Sequence, residues 1–230
     1  MTTSKEKFSV NVDALIKESI KRDISVNEAY HVQSDVFKLV TDHVSVKVKN
    51  AHLALYDAYT KTASEISAKI DAADKRAASP NTGAFRSLKL DEVYNLNASL
   101  LHKLYFENCF SPSSEVHMDS LSYIRLQQSF GTFDDWQKDF MACALACGQG
   151  WAVCGYHTLL KRVVNTMISN HSQDVMIGLY PVIVLDMHEH AYHRDYLNDK
   201  QSYIVSMMRE FNWSVIEQRF EVADAVATSL

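Results

Sequence analysis

Through the first half of the chain, apolar residues recur every three to four positions, which is the period of an amphipathic helix. This spacing predicts one or two helices within residues 11–40. It also predicts a long helix from Ser45 to about Ala73 and another from near Leu90 to Phe110, ending at Ser111-Pro112. The run Ser79-Pro80-Asn81-Thr82-Gly83 between the long helices predicts a turn, so these helices should form an antiparallel hairpin.

The second half carries short apolar runs separated by turn residues, a pattern that predicts β-strands. The three runs cover residues 150–156, 160–168 and 180–185. Before them, a loop should lead into a helix with Thr132 or Asp134 as its N-cap, and helices should return from about Asp195 to the end. The pattern therefore predicts an α+β protein, in which a helical hairpin is followed by a mixed domain around a short three-stranded antiparallel sheet.

Composition narrows the choice of partners. With 230 residues and 47% hydrophobic content, the chain can bury a substantial core as one or two domains. The formal charge of -5 gives no electrostatic reason to expect nucleic acid or an anionic membrane as partner. No apolar run is long enough to span a bilayer, and the first residues lack the apolar core of a secretory signal.

The cysteines indicate packing rather than chemistry. The chain has four, Cys109, Cys143, Cys147 and Cys154, and no Cys-x-x-Cys pair. Cys143 and Cys147 lie one helical turn apart among alanines, which is typical of small buried residues and less typical of a zinc or redox site. A reducing compartment fits this pattern, so we expect a cytoplasmic protein.

The richest chemistry lies in residues 185–192, directly after the third apolar run. Asp186 and His190 are four residues apart, so a helix would project both from one face. In an extended chain, Asp186, His188 and His190 would share a face instead. Either geometry brings carboxylate oxygen and imidazole nitrogen together, a set that suits iron, manganese or zinc. The alternative is that these histidines are simply buried and paired.

Residues 186–192, Asp-Met-His-Glu-His-Ala-Tyr, resemble the Asp-x-Trp-Glu-His-Ala-Tyr signature of the iron/manganese superoxide dismutases. Residues 43–52 look like that family's His-Ile-Ser-x-Lys-Thr-x-Glu-x-His, and residues 101–108 resemble its Asn-His-x-x-Phe-Trp-x-Asn. Shorter matches follow in the family's order: residues 130–133 with Phe-Gly-Ser-Phe, Gly150-Trp151 with the start of Gly-Trp-x-Trp, and residues 212–220 with Asn-Trp-x-x-x-x-x-Arg-Tyr. The resemblance extends from about residue 37 to 221.

This resemblance implies one iron or manganese ion per subunit, held by His52, His102, Asp186 and His190. It also implies a homodimer, or a higher oligomer, in which Glu189 pairs with the partner's ligand histidine. The implied units are an N-terminal helical extension over 1–36, the hairpin domain over 37–112 and the α+β domain over 113–230.

Several departures from the family pattern surround the implied metal. His188 replaces a tryptophan that forms an apolar wall; it is a candidate catalytic base or further ligand, and the alternative is that it merely packs and hydrogen-bonds. Tyr56 replaces the family's gateway histidine. Thr60 falls at the gateway tyrosine, with Tyr59 one residue away as a substitute. Tyr56, Tyr59 and His188 are therefore the candidate catalytic residues.

The residues expected around the ligands also differ from the family. The outer-sphere glutamine, which tunes the metal's potential, has no clear equivalent, and Asn170 or His171 lies nearest. Ala98 occupies the alternative glutamine position, while Trp151 is retained. His193 stands where a second tyrosine would reach across the dimer.

Three functions follow from these matches and departures. The primary prediction is a divergent dismutase that converts superoxide to dioxygen and hydrogen peroxide. The alternative is a metal-dependent oxidase or oxygenase on the same fold, with a more polar pocket that accepts an organic substrate. A non-enzymatic interaction module is disfavoured, because a scaffold has no need of a desolvated cluster of three histidines and an aspartate. Fold alone does not choose between them.

Overall fold

A computed structural model describes residues 29–110 and 115–229. Its first unit is a pair of long helices, α1 (Val46–Asp71) and α2 (Ala84–Cys109), which pack against each other. Ser45 begins α1 by accepting a hydrogen bond from the Val48 N–H on its side-chain oxygen. A 3₁₀ turn (Lys75–Ala77) and a short loop join the helices. The predicted hairpin is confirmed, with α2 beginning before the expected Leu90.

The second unit is a small sheet with helices before and after it. In chain order its elements are α3 (Leu121–Phe130), α4 (Phe133–Ala146), β1 (Gly150–His157), β2 (Arg162–Ser169), β3 (Leu179–Asp186), α5 (Glu189–Tyr196), α6 (Lys200–Arg209) and α7 (Trp213–Ser229). Strand β1 lies in the centre and pairs antiparallel with both neighbours. All residues of β1 are buried. The predicted α+β architecture and three-stranded antiparallel sheet are confirmed.

The helix boundaries in this unit follow local capping chemistry. Thr132, rather than Asp134, is the N-cap of α4, because its hydroxyl accepts the Asp135 N–H. The returning helices begin at Glu189, earlier than the predicted Asp195. This places the first turn of α5 directly after the end of β3, so Asp186 and His190 belong to different elements.

The predicted helix content between residues 11 and 40 is wrong for residues 29–40. Residues 29–45 form a non-helical segment, here called the strap, that lies along α1. The amides of Tyr30 and Val32 donate to serine hydroxyls of α1 at 2.8 and 2.9 Å, so alternate residues face that helix. Asp35 N–H likewise donates to the Tyr56 hydroxyl at 3.0 Å. These backbone N–H groups of the strap find their acceptors on α1, so they do not need a helix within the strap to form hydrogen bonds.

Some predictions lie outside the described residues. They are the helical extension and its pattern up to residue 28, and the Ser111-Pro112 pair itself; the helix before that pair ends at Cys109, with Phe110 as its C-cap. Within the described ranges, no helix combines the length and the apolar character required to cross a membrane. All four cysteines are free thiols; Cys147 is buried and Cys143 is partly exposed.

Candidate metal centre

Four side chains from both units of the fold meet at one point. His52 comes from α1, His102 from α2, Asp186 from the end of β3 and His190 from the first turn of α5. One nitrogen or oxygen of each lies within 4.8 Å of the corresponding atoms of the others. His52, His102 and Asp186 are buried, whereas the His190 side chain is 28% exposed. The structure thus brings together all four residues that the resemblance implied as ligands.

The Asp186 carboxylate is the centre of this cluster. Its Oδ2 lies 3.0 Å from Nε2 of His52 and 3.0 Å from Nε2 of His190. The same oxygen lies 3.8 Å from Nε2 of His102. Three imidazole nitrogens therefore surround one carboxylate oxygen.

His102 has a buried electron pair that no group in the described part of the chain uses. Its Nδ1 lies 2.6 Å from the Ala98 carbonyl oxygen, and a carbonyl only accepts, so Nδ1 carries the proton. The lone pair is then on Nε2, which is buried and has no hydrogen-bond partner within the described chain. Burial, followed by the nearby His52, lowers the pKa of His102 to about 3, so the ring is neutral at physiological pH. A buried, unprotonated nitrogen without a donor fits a metal ion.

The other three side chains differ in how readily they take up a proton. Burial lowers the pKa of His52, although Asp186 opposes the shift. Burial acts to raise the pKa of Asp186, but the neighbouring imidazoles, first His190, hold it well below its usual range. Burial acts to lower the pKa of His190, but Asp186 raises it above its usual value, so protons compete with a cation for this nitrogen.

One wall of the cluster is a hydrogen-bonded chain of aromatic residues. The Trp151 indole lies edge-on to His102, with ring centroids 4.8 Å apart, and its N–H donates to Nδ1 of His171 at 2.9 Å. Because Nδ1 accepts, neutral His171 carries its proton on Nε2, which lies 3.2 Å from the Tyr59 hydroxyl. Burial, followed by His188, lowers the pKa of His171 to about 4.

His188 lies beside the four-residue group rather than in it. Its ring is buried and its Nδ1 lies 2.8 Å from Asp186 Oδ1, the carboxylate oxygen that does not face the other histidines. The sequence left open a further ligand, a catalytic base or a ring that merely packs and hydrogen-bonds at this position. The structure pairs the ring with the outer oxygen of Asp186.

Two predicted residues face away from the cluster. The hydroxyl of Tyr56 accepts a hydrogen bond from Asp35 of the strap, so the ring is directed out of the site. Asn170 is exposed at a positive φ of 50°, and its N–H donates to Gln149 O. The sequence left Asn170 and His171 as alternatives, and only His171 reaches the site.

Two tyrosines beside the cluster, Tyr94 and Tyr203, were not predicted from the sequence. The Tyr94 ring lies 4.8 Å from that of His171 and 6.3 Å from that of Tyr59. Its position about two helical turns before His102 is the signal that identifies it, since such spacing returns to the same helix face. The Tyr203 hydroxyl donates to the Asp186 carbonyl at 2.9 Å from behind β3; no motif or spacing in the sequence indicates this contact.

Glu189 is exposed at the start of α5, next to His190. Within residues 29–110 and 115–229, its carboxylate forms no hydrogen bond or ion pair and is open to solvent. This position is compatible with a contact between subunits.

Comparisons with known proteins agree with this geometry. A family model described as iron/manganese superoxide dismutases, C-terminal domain, matches residues 121–219. The "Superoxide dismutase [Fe]" of Aquifex aeolicus (strain VF5) and that of Aquifex pyrophilus are each 32% identical over 173 residues, which cover 74% of this chain and 80% of the relative. The "Superoxide dismutase [Mn]" of Mycobacterium lepraemurium is 26% identical over 196 residues, covering 84% of this chain and 93% of the relative.

Proposed function

The chain belongs to the iron/manganese superoxide dismutase family, and from this premise we propose that it converts superoxide to dioxygen and hydrogen peroxide with one iron or manganese ion per subunit. The ion would be held by His52, His102, Asp186 and His190. The observation that carries this proposal is the unpaired Nε2 of His102, a buried electron pair inside a group of mutually close ligand atoms.

The donor set supports this choice of metals. Three imidazole nitrogens and one carboxylate oxygen suit iron and manganese, and they disfavour copper(I) or an iron–sulfur cluster, which prefer thiolates. The similar proteins bear names with either metal. A bound ion would supply one-electron oxidation and reduction of superoxide. The protein must then provide protons, because each hydrogen peroxide formed takes up two of them. It must also keep bulk water away from the ion.

The surrounding side chains are suited to both tasks. Trp151 and the rings of His52 and His102 are fully or almost fully buried, so water is excluded on that side. The His190 side chain is 28% exposed, so the cluster is not fully enclosed within one subunit. Burial, followed by Tyr94, raises the pKa of Tyr59 to about 12. Tyr59 therefore keeps its proton at neutral pH, where its contact with His171 holds it beside the ligands.

The oxidase alternative gains no support from these contacts. That hypothesis rests on the replacement of the family's tryptophan, gateway tyrosine and outer-sphere glutamine, which would leave a larger, polar pocket for an organic substrate. His188 occupies the place of the tryptophan with a buried ring that is bonded to Asp186. Superoxide, which needs little space, is the better substrate for this arrangement.

We extend the proposal to a homodimer in which Glu189 pairs with His190 of the partner subunit. The exposed, unpaired carboxylate at the start of α5 supports it, since a charge-assisted hydrogen bond there would orient a ligand. A cytoplasmic location stays a prediction, supported by four free cysteines.

The direct test is to load the purified protein with iron or with manganese, then measure metal per chain and the rate of superoxide removal. We expect about one ion per chain and a rate well above that of the free ion. His102→Ala should lose both, and His117→Ala, at an exposed position, should lose neither. A fully loaded protein no faster than the free ion would refute dismutation.

A further inference from the structure

The outer oxygen of Asp186 accepts two hydrogen bonds from one residue. Both the backbone N–H and the ring Nδ1 of His188 lie 2.8 Å from Asp186 Oδ1. An ionised carboxylate only accepts hydrogen bonds, so Nδ1 carries the proton and donates it. Both lone pairs of Oδ1 thereby accept a hydrogen bond, whereas Oδ2 faces His52, His102 and His190.

The His188 ring donates to Asp186 instead of capping the helix that begins after it. His188 is the N-cap residue of α5, where a side chain often caps the helix, yet its side chain makes no capping hydrogen bond. The ring turns back towards β3 instead. It is held there by stacking on His190, with ring centroids 5.1 Å apart, and by His171 at 4.7 Å.

We propose that His188 is a positioning residue that fixes Asp186 as a one-oxygen ligand, with Oδ1 held by the His188 ring and amide and only Oδ2 left for the metal. This inference rests on the proposed metal site. A carboxylate free to rotate can bind through either oxygen or both, and two donors on Oδ1 remove that freedom. Groups that orient a ligand in this way govern metal affinity as well as geometry.

The role requires a hydrogen-bond donor close to Cβ, which histidine has and the tryptophan of the family signature lacks. A tryptophan, which the family signature has here, carries its single donor on Nε1, farther from Cβ than Nδ1 of histidine. It cannot place a donor where the His188 Nδ1 lies, so only the backbone amide would remain on Oδ1. An asparagine can do so, because its amide nitrogen lies close to the position of Nδ1. Asparagine should therefore preserve the interaction, and leucine should abolish it.

The test compares His188→Leu, His188→Asn and a control, His117→Leu, in which an exposed histidine is changed. Manganese affinity is measured by competition with a chelator. Infrared difference spectra of manganese-loaded minus metal-free protein, with ¹³C-labelled aspartate, report whether one or both carboxylate oxygens bind. We expect His188→Leu to weaken affinity about 10- to 100-fold and His188→Asn to stay within about threefold of the parent. The separation of the two carboxylate stretches should narrow only in His188→Leu.

Each result decides the proposal. Unchanged affinity and unchanged carboxylate bands in His188→Leu would overturn it, as would an equal loss in the leucine and asparagine variants. A parent protein that binds neither iron nor manganese would overturn both this inference and the proposed function. A parent that binds metal and shows the expected His188 effects, but removes no superoxide, would refute the proposed dismutation and leave the positioning role standing.

Discussion

Asn108 pairs with both backbone polar groups of Val184. Its Nδ2 donates to Val184 O at 3.0 Å, and its Oδ1 accepts from Val184 N–H at 3.0 Å. Strand β3 is an edge of the sheet, and Val184 is fully buried, so water cannot take over these bonds. Asn108 thereby ties α2, which carries His102, to the strand that ends at Asp186.

Asn108→Ala should destabilise the protein strongly. The change leaves the buried Val184 N–H unpaired and leaves the Val184 C=O only the Cys109 thiol at 3.7 Å. It also removes an acceptor of the Arg219 guanidinium, for a total cost of about 2 to 4 kcal/mol in the free energy of unfolding. Urea unfolding of the metal-free protein measures it. The matched control is Asn95→Ala on the same helix, where the side chain bonds only to an exposed carbonyl of its own turn. Equal stability of the two variants would contradict the role given to Asn108.

The hairpin, the sheet and the four clustered side chains could be predicted because their signals are local or ordered along the chain. A regular apolar period identifies α1 and α2, and short motifs identify His52, His102, Asp186 and His190. Motifs also contain Asn108, but its partner Val184 is a backbone group that no side-chain pattern reveals.

The strap could not be predicted, because its amide partners are side chains more than twenty residues away, such as the Ser67 and Tyr56 hydroxyls. The apolar spacing there matched a helix, and distant contacts overrode it. His171 was one of two adjacent alternatives, since only the backbone turn at Asn170 decides which of them enters the site.

Metal binding should raise the free energy of unfolding, and Asp186 should be needed for this gain because it is a proposed ligand. Because the folded protein gathers ligands that the unfolded chain does not, manganese at about 100 times its dissociation constant should add about 2.7 kcal/mol to the free energy of unfolding. Asp186→Asn removes the central negative charge and should abolish most of this gain. Thermal unfolding with and without manganese, after chelator treatment, measures both. A gain as large in the variant as in the parent would exclude Asp186 as a ligand.

Glu189→Ala should shift the proposed homodimer towards monomers. Glu189 is exposed, and among the described residues its carboxylate has no partner, so its removal costs little within one subunit. Sedimentation over a range of protein concentrations gives the dimer dissociation constant. Glu221→Ala, on exposed α7 surface, is the control. If both variants dimerise as the parent does, or the parent is a monomer, Glu189 is not an intersubunit bridge.

His171 should make the metal-free protein sensitive to acid. Burial lowers the pKa of His171 to about 4, against about 6.5 in the unfolded chain. As the pH falls from 6.5 towards 4, the unfolded chain binds a proton that folded His171 refuses, so stability is lost across this window by at most about 1.4 kcal/mol per pH unit. His171→Gln removes the group that takes up this proton, so the variant should lose less stability on acidification. The glutamine amide can still accept from Trp151 and donate to Tyr59. His117→Gln, at an exposed position, should follow the parent. Urea unfolding at several pH values measures the difference, and parallel profiles for parent and His171→Gln would show that His171 takes up its proton as readily when folded as when unfolded.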